Sequence, residues 1–96
     1  GDGTQKRDFT YVQDVVNANL LAIEMKKSEY KIYNIGTGKN YSINEISRMI
    51  GGPSVKTISI SSRPAEVRET LADISDTIRE MNWEPEFSLE EMILNY

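Results

Sequence analysis

Between Val15 and Met25 the apolar residues fall in two adjacent stripes at spacings of three and four, Val15, Ala18, Ala22 and Met25 on one and Val16, Leu20 and Ile23 on the other. That period predicts a helix with two faces to bury. The run Phe9-Thr10-Tyr11-Val12 before it is rich in β-forming side chains and reads as a strand, with Asp14 placed to cap the helix. Ile32, Tyr33 and Ile35 predict a second strand over Tyr30 to Ile35, closed by a tight turn at Gly36-Thr37-Gly38. Ser42-Ile43-Asn44-Glu45 is a capping box, Tyr41 is placed to pack on Ile46, and Gly51-Gly52 stops the helix that follows. Val55 to Ile60 alternates as a third strand would, and Ser61-Ser62-Arg63-Pro64 then opens a long charged loop. Asp73 is placed to cap a helix carrying Ile74, Ile78 and Met81, and Ser88-Leu89-Glu90-Glu91 is a second capping box. Trp83 and Pro85 join these helices, and the indole reads as a cover on the core rather than a stacking platform. Gly1 to Lys6 reads as a loop.

At 96 residues, with 39% hydrophobic and 27% charged positions, the chain has the size and composition of one soluble domain. Fifteen acidic residues against 11 basic ones give a net charge of -4, which disfavours general attraction to nucleic acid or to an anionic membrane. Cysteine and histidine are both absent, which removes disulfides, thiol nucleophiles, imidazole acid–base chemistry and the usual zinc ligands. No apolar run approaches the ~20 residues that span a bilayer, so a cytosolic location is expected. Gly1 stands where a start Met would, so a processed or excised piece of something longer is expected.

Gly36-Thr37-Gly38-Lys39 lies between a predicted strand and a helix, where a phosphate loop would lie. A dinucleotide fingerprint needs a third glycine where Tyr41 stands, and a Walker loop needs Gly-Lys-Ser/Thr at another spacing. The favoured reading is a tight turn feeding a capped helix. Arg7, Arg63 and Arg68 fall in predicted loops, where planar guanidinium groups can converge on a diphosphate or serve as surface ion pairs. Glu66 is placed either to pair with Arg63 or to accept from a ribose hydroxyl. Every tyrosine lacks a lysine four residues later, so no Tyr-Lys pair is available for proton transfer. Glu90 and Glu91 are neighbours on a helix, about 100° apart, and do not make a carboxylate dyad.

Three segments together resemble the C-terminal substrate-binding part of the extended short-chain dehydrogenases, the NAD-dependent nucleotide-sugar epimerases and dehydratases, and most of all the UDP-glucose 4-epimerases. They are GDGTQKRDFTYVQDVVNANLLAIE, YKIYNIGTGKNYSINEI, and RPAEVRETLADISDTIREMNWEP followed by SLEEMI, and they cover nearly the whole chain. The fold expected is α/β, shading into α+β: a small domain, residues 1–96, with a short, mostly parallel sheet and about four helices. The resemblance implies that Arg7 and Arg63 contact the nucleotide diphosphate, that Glu66 bonds the ribose, that Ile43 packs near the nucleoside and that Phe9 lines the same pocket. Where the family often has Gly-Asp, this chain has Ala65-Glu66, a longer carboxylate. It also implies an N-terminal Rossmann domain holding NAD and the Ser/Thr, Tyr and Lys catalytic set, none of it within these residues. The expected function is therefore the nucleotide-sugar grip of a 4-epimerase, with a UDP-hexose as partner, and with NAD serving the full-length enzyme only. This chain alone is expected to bind no NAD and to be inactive. A dehydratase or decarboxylase with the same grip, and a free-standing interaction module, are the alternatives. The two-striped helix leads us to expect a homodimer when it is left uncovered.

Overall fold

The computed structural model describes residues 1–25 and 31–94. Six elements form in the order β1 (Lys6–Arg7), α1 (Val12–Glu24), β2 (Tyr41–Ser42), α2 (Ile43–Gly51), α3 (Ser75–Met81) and α4 (Leu89–Leu94). The expected four helices are all present.

The sheet differs from the expectation. β1 and β2 pair antiparallel, Lys6 opposite Ser42 and Arg7 opposite Tyr41, and the one parallel link is an isolated bridge from Lys6 to Glu69. Phe9 to Val12 is not a strand, because the chain leaves β1 after two residues and α1 begins at Val12. Asp14 consequently lies inside the helix, and Tyr11 occupies the cap position without a side-chain bond. Residues 31–35 and 55–60 also form no strand, and Tyr30 lies outside the described residues, as do Lys26 and Lys27. Alternation supplies strand-forming side chains, but a strand needs a partner edge, and among the described residues 55–60 makes a local turn bond from Val55 N to the Gly52 carbonyl and a single bond to a distant segment, from Ile60 N to the Gly1 carbonyl. Gly1 to Lys6 is more ordered than a loop: the carbonyls of Gly3 and Gln5 accept from Asn44 N and Ile43 N, satisfying free donors at the start of α2.

Helix ends follow their chemistry. Ser42 accepts from Glu45 N while the Glu45 carboxylate accepts from Ser42 N, a complete capping box, and Gly52 ends the helix at φ 83°. Ser88 accepts from Glu91 N at the start of α4. Asp73 accepts from Ser75 N although the cap position itself is Ile74.

The core is small. Ala18, Ile74, Met81 and Trp83 are buried together, with Leu21, Met25, Tyr33, Ile35 and Ala72 packed against them. Trp83 is the cover the sequence predicts, its indole N–H donating to the Asp14 carbonyl at 2.9 Å. The Asp14 carboxylate is fully buried and accepts from Glu86 N and Phe87 N, which ties α1 to the connection before α4. Neither predicted stripe of α1 is buried as a whole: Ala18 and Met25 reach this core with Leu21, whereas Val15 and Ala22 of the same stripe are exposed. Val16, Leu20 and Ile23 stay exposed, Ile23 by 79%.

Candidate functional site

A cleft of about 390 Å³ opens where four pieces of chain meet. Gly1, Asp2, Gly3 and Gln5 form one wall, the first turns of α2 contribute Ile43, Asn44 and Ser47, the extended run Thr57 to Ile60 makes a second wall, and Arg63 with Glu66 closes the rim. Its size suits a small ligand. The capping box sets the start of α2 here, and a helical turn puts Ile43 and Ser47 on the same face. Gly3 lets the chain pass close by. Its φ is +81°, and a Cβ there would stand 2.1 Å from the Asn44 side-chain oxygen.

Of the residues expected at the site, the structure brings together Ile43, Arg63 and Glu66.

 Arg7 and Phe9 line no part of the cleft. Arg7 lies on β1 rather than in the loop expected for it. Its guanidinium donates to the Lys6 carbonyl at 2.8 Å. Arg68 does not line the cleft itself but stands 3.7 Å from the carboxylate of Asp2, which does, in an exposed pair. Hydrogen bonds from the Thr4 hydroxyl and amide hold that Asp2 carboxyl below its usual range. Asp2, Gln5, Asn44 and Ser47 were not singled out by the sequence, although the capping box marks the end of α2 on which two of them sit.

Arg63 and Glu66 meet through the backbone. Glu66 accepts from Arg63 N at 3.4 Å and from the Gln5 side-chain amide at 3.4 Å, so the carboxylate is held by long bonds and does not neutralise the guanidinium. Among the described residues, no carboxylate pairs with Arg63. The Arg63 guanidinium is thus open to an anionic ligand, in a cleft that the carboxylates of Asp2 and Glu66 also line.

The comparisons with known proteins fit that chemistry. A family model described as GDP-mannose 4,6 dehydratase matches residues 1–96. The chain belongs to this family. It is 42% identical over 95 residues to a UDP-glucuronate 4-epimerase of Thermodesulfobacterium geofontis, covering 95% of this chain and 29% of that protein. Its fold is similar to a UDP-glucose 4-epimerase of Thermotoga maritima with UDP-glucose, at TM-score 0.86 and 38% identity, covering 97% of this chain and 30% of the other. A UDP-glucuronic acid 4-epimerase from Bacillus cereus in complex with UDP-glucuronic acid and NAD gives TM-score 0.88 and 37% identity, covering 98% and 31%. The chain thus spans about 30% of the length of these relatives.

NAD is present in relatives of this epimerase and dehydratase family, and the turn at Gly36-Thr37-Gly38 is the one place in the present chain whose pattern suggested a phosphate. The structure fills it otherwise. Thr37 N and Gly38 N both donate to the Asp8 carboxylate, at 2.9 and 3.0 Å, so the amides that would cradle a phosphate already hold an anion of the chain itself. These residues do not fit a dinucleotide. Tyr41 is equally unsuited to proton abstraction, since its bond to the Glu90 carboxylate raises the phenol above its ordinary value.

Proposed function

We propose that this chain is the nucleotide-sugar-binding part of an NAD-dependent 4-epimerase, gripping the diphosphate of a UDP-sugar in the cleft between α2 and the Arg63 loop. The convergence of Ile43, Arg63 and Glu66 on one cleft carries the reading, in a family whose relatives include epimerases of UDP-sugars. Arg63 offers a permanently charged, planar two-donor fork to the diphosphate. Ile43 gives an apolar contact for the nucleoside, and Glu66 accepts from the ribose once its long bonds are exchanged. Arg7 joins the grip by releasing the Lys6 carbonyl, its partner here, and turning toward the ligand. Phe9, half-buried just beyond β1, supports that segment rather than the cleft.

Binding of this kind serves catalysis indirectly. Fixing the nucleotide end spends binding energy on orientation and leaves the sugar free to present either face to the redox centre, which we place in the part of the protein outside these residues. NAD is assigned there, and so is the catalytic set. We further propose that the exposed stripe of α1 is a self-association surface when nothing else covers it.

Calorimetric titration with UDP tests the grip. In the protein that carries this sequence, Arg63→Ala is expected to weaken binding by ~1.5–3 kcal/mol, the size of a charge-assisted hydrogen bond, with Arg63→Lys restoring only part. Arg68→Ala, which removes only the exposed pair with Asp2, should change it less. Unchanged affinity in Arg63→Ala removes the cleft from nucleotide binding.

A further inference from the structure

Asp8 stands one residue past Arg7 and outside the cleft, yet its carboxylate gathers more of the chain than its position suggests. Thr37 donates to it from its hydroxyl at 2.6 Å and its amide at 2.9 Å, Gly38 N donates at 3.0 Å and Ala72 N at 3.2 Å. The Asp8 amide in turn donates to the Thr70 hydroxyl at 3.2 Å. Three segments meet at one side chain: the end of β1, the 36–38 turn and the run 70–72.

That run continues directly from the loop bearing Arg63 and Glu66. It lies along β1 through two backbone bonds, Lys6 N to the Arg68 carbonyl and Thr70 N to the Lys6 carbonyl, both 3.0 Å. A ladder this short fixes register weakly. The carboxylate supplies the missing constraint at its end, and Gly36 leaves it no slack, since a Cβ there would stand 2.9 Å from the Asp8 oxygen and 2.5 Å from the Ala72 Cβ. Every group aimed at Asp8 from these segments is a donor, so an acceptor-only carboxylate is the side chain that suits them.

We propose that Asp8 is a positioning residue for the nucleotide grip: by locking the 70–72 run to β1 it sets where the Arg63 guanidinium stands over the cleft. The proposal rests on the reading of the cleft given above. Asp8→Asn is nearly isosteric but turns an N–H₂ toward one set of donors, which frees the run to shift.

The test is a double-mutant cycle read by calorimetric titration with UDP, on the protein that carries this sequence, well below the unfolding temperature of each variant. Asp8→Asn is expected to weaken UDP binding about tenfold, the worth of one charge-assisted hydrogen bond. In the Arg63→Ala background the same change should cost clearly less, because the group that it positions is gone. Thr70→Val, which removes only the partner of the Asp8 amide, should weaken binding about threefold with the same dependence on Arg63, and it serves if Asp8→Asn does not fold. Losses that simply multiply, or Asp8→Asn and Thr70→Val binding as the parent does, overturn the positioning role while Arg63→Ala still weakens binding. Arg63→Ala binding as the parent does overturns the reading of the cleft itself.

Discussion

Ala65 adopts φ 63°, a left-handed conformation that costs a residue with a Cβ about 1–2 kcal/mol. This is the position at which the resemblance finds glycine in related chains, and the backbone shows why glycine suits it. Ala65→Gly relieves the strain but adds freedom to the unfolded chain, so a net gain of about 0.5 kcal/mol is expected in urea unfolding. A clear loss would mean that the methyl group is packed. Asp8 makes a second prediction at this scale. Burial alone would raise its carboxyl, but the bonds from Thr37, Ala72 and Gly38 together outweigh it and hold the group below its ordinary 3.8. A carboxyl depressed on folding contributes stability that is complete above its unfolded value and is lost as the pH falls through the lower folded one. The parent should therefore lose stability between about pH 5 and pH 2 more steeply than Asp8→Asn, measured by urea unfolding across that range. Parallel curves would show that the four bonds do not favour the charged form.

Among the elements, α1 depends most on a single side chain. The Asp14 carboxylate accepts from Glu86 N and Phe87 N, and the Asp14 carbonyl accepts from the Trp83 indole, so one turn of helix anchors the whole connection from α3 to α4. Asp14→Ala strands two amides and is expected to cost about 2–4 kcal/mol in urea unfolding, with Asp14→Asn costing less. A cost under about 0.5 kcal/mol would place those amides in water. The sequence showed the helices because their signals are local: Ser42 with Glu45, Ser88 with Glu91, and apolar spacings of three and four all act within a few residues. Strands are not legible in the same way because pairing is not local. Phe9 to Val12 and Val55 to Ile60 have strand-forming side chains but no partner edge, while the pairing that does form joins Lys6-Arg7 to Tyr41-Ser42, residues with no alternating pattern around them. The cleft was legible in the same uneven way. Ile43, Arg63 and Glu66, which the resemblance marks, line one cleft, whereas Gln5 and Asp2 enter through β1 and its approach, and only the long-range pairing with β2 puts them there.

For the whole molecule, surface area decides what the exposed stripe of α1 means. A compact monomer of 10.9 kDa exposes ~5,600 Å² by the usual scaling with mass, whereas this chain exposes 7545 Å². The radius of gyration, 16.2 Å, is likewise above the ~12.5 Å of a compact domain of this length. The excess of roughly 1,900 Å² is as large as the area buried in a standard protein–protein interface. Val16, Leu20 and Ile23 lie exposed along α1, beside a groove lined by Leu20, Leu21 and Trp83 with Asn17, Asn82, Glu84 and Glu86. Net charge of -4 opposes association only weakly at physiological salt, where exposed charges are screened beyond ~8 Å. These 96 residues on their own should therefore self-associate. Light scattering over a concentration series is expected to show a mass rising from one chain to two, and Leu20→Glu, which puts a charge at the middle of the stripe, should return the mass to one. A constant single-chain mass up to high micromolar concentration, without binding of a dye that reports exposed apolar surface, would show that α1 is satisfied within its own fold.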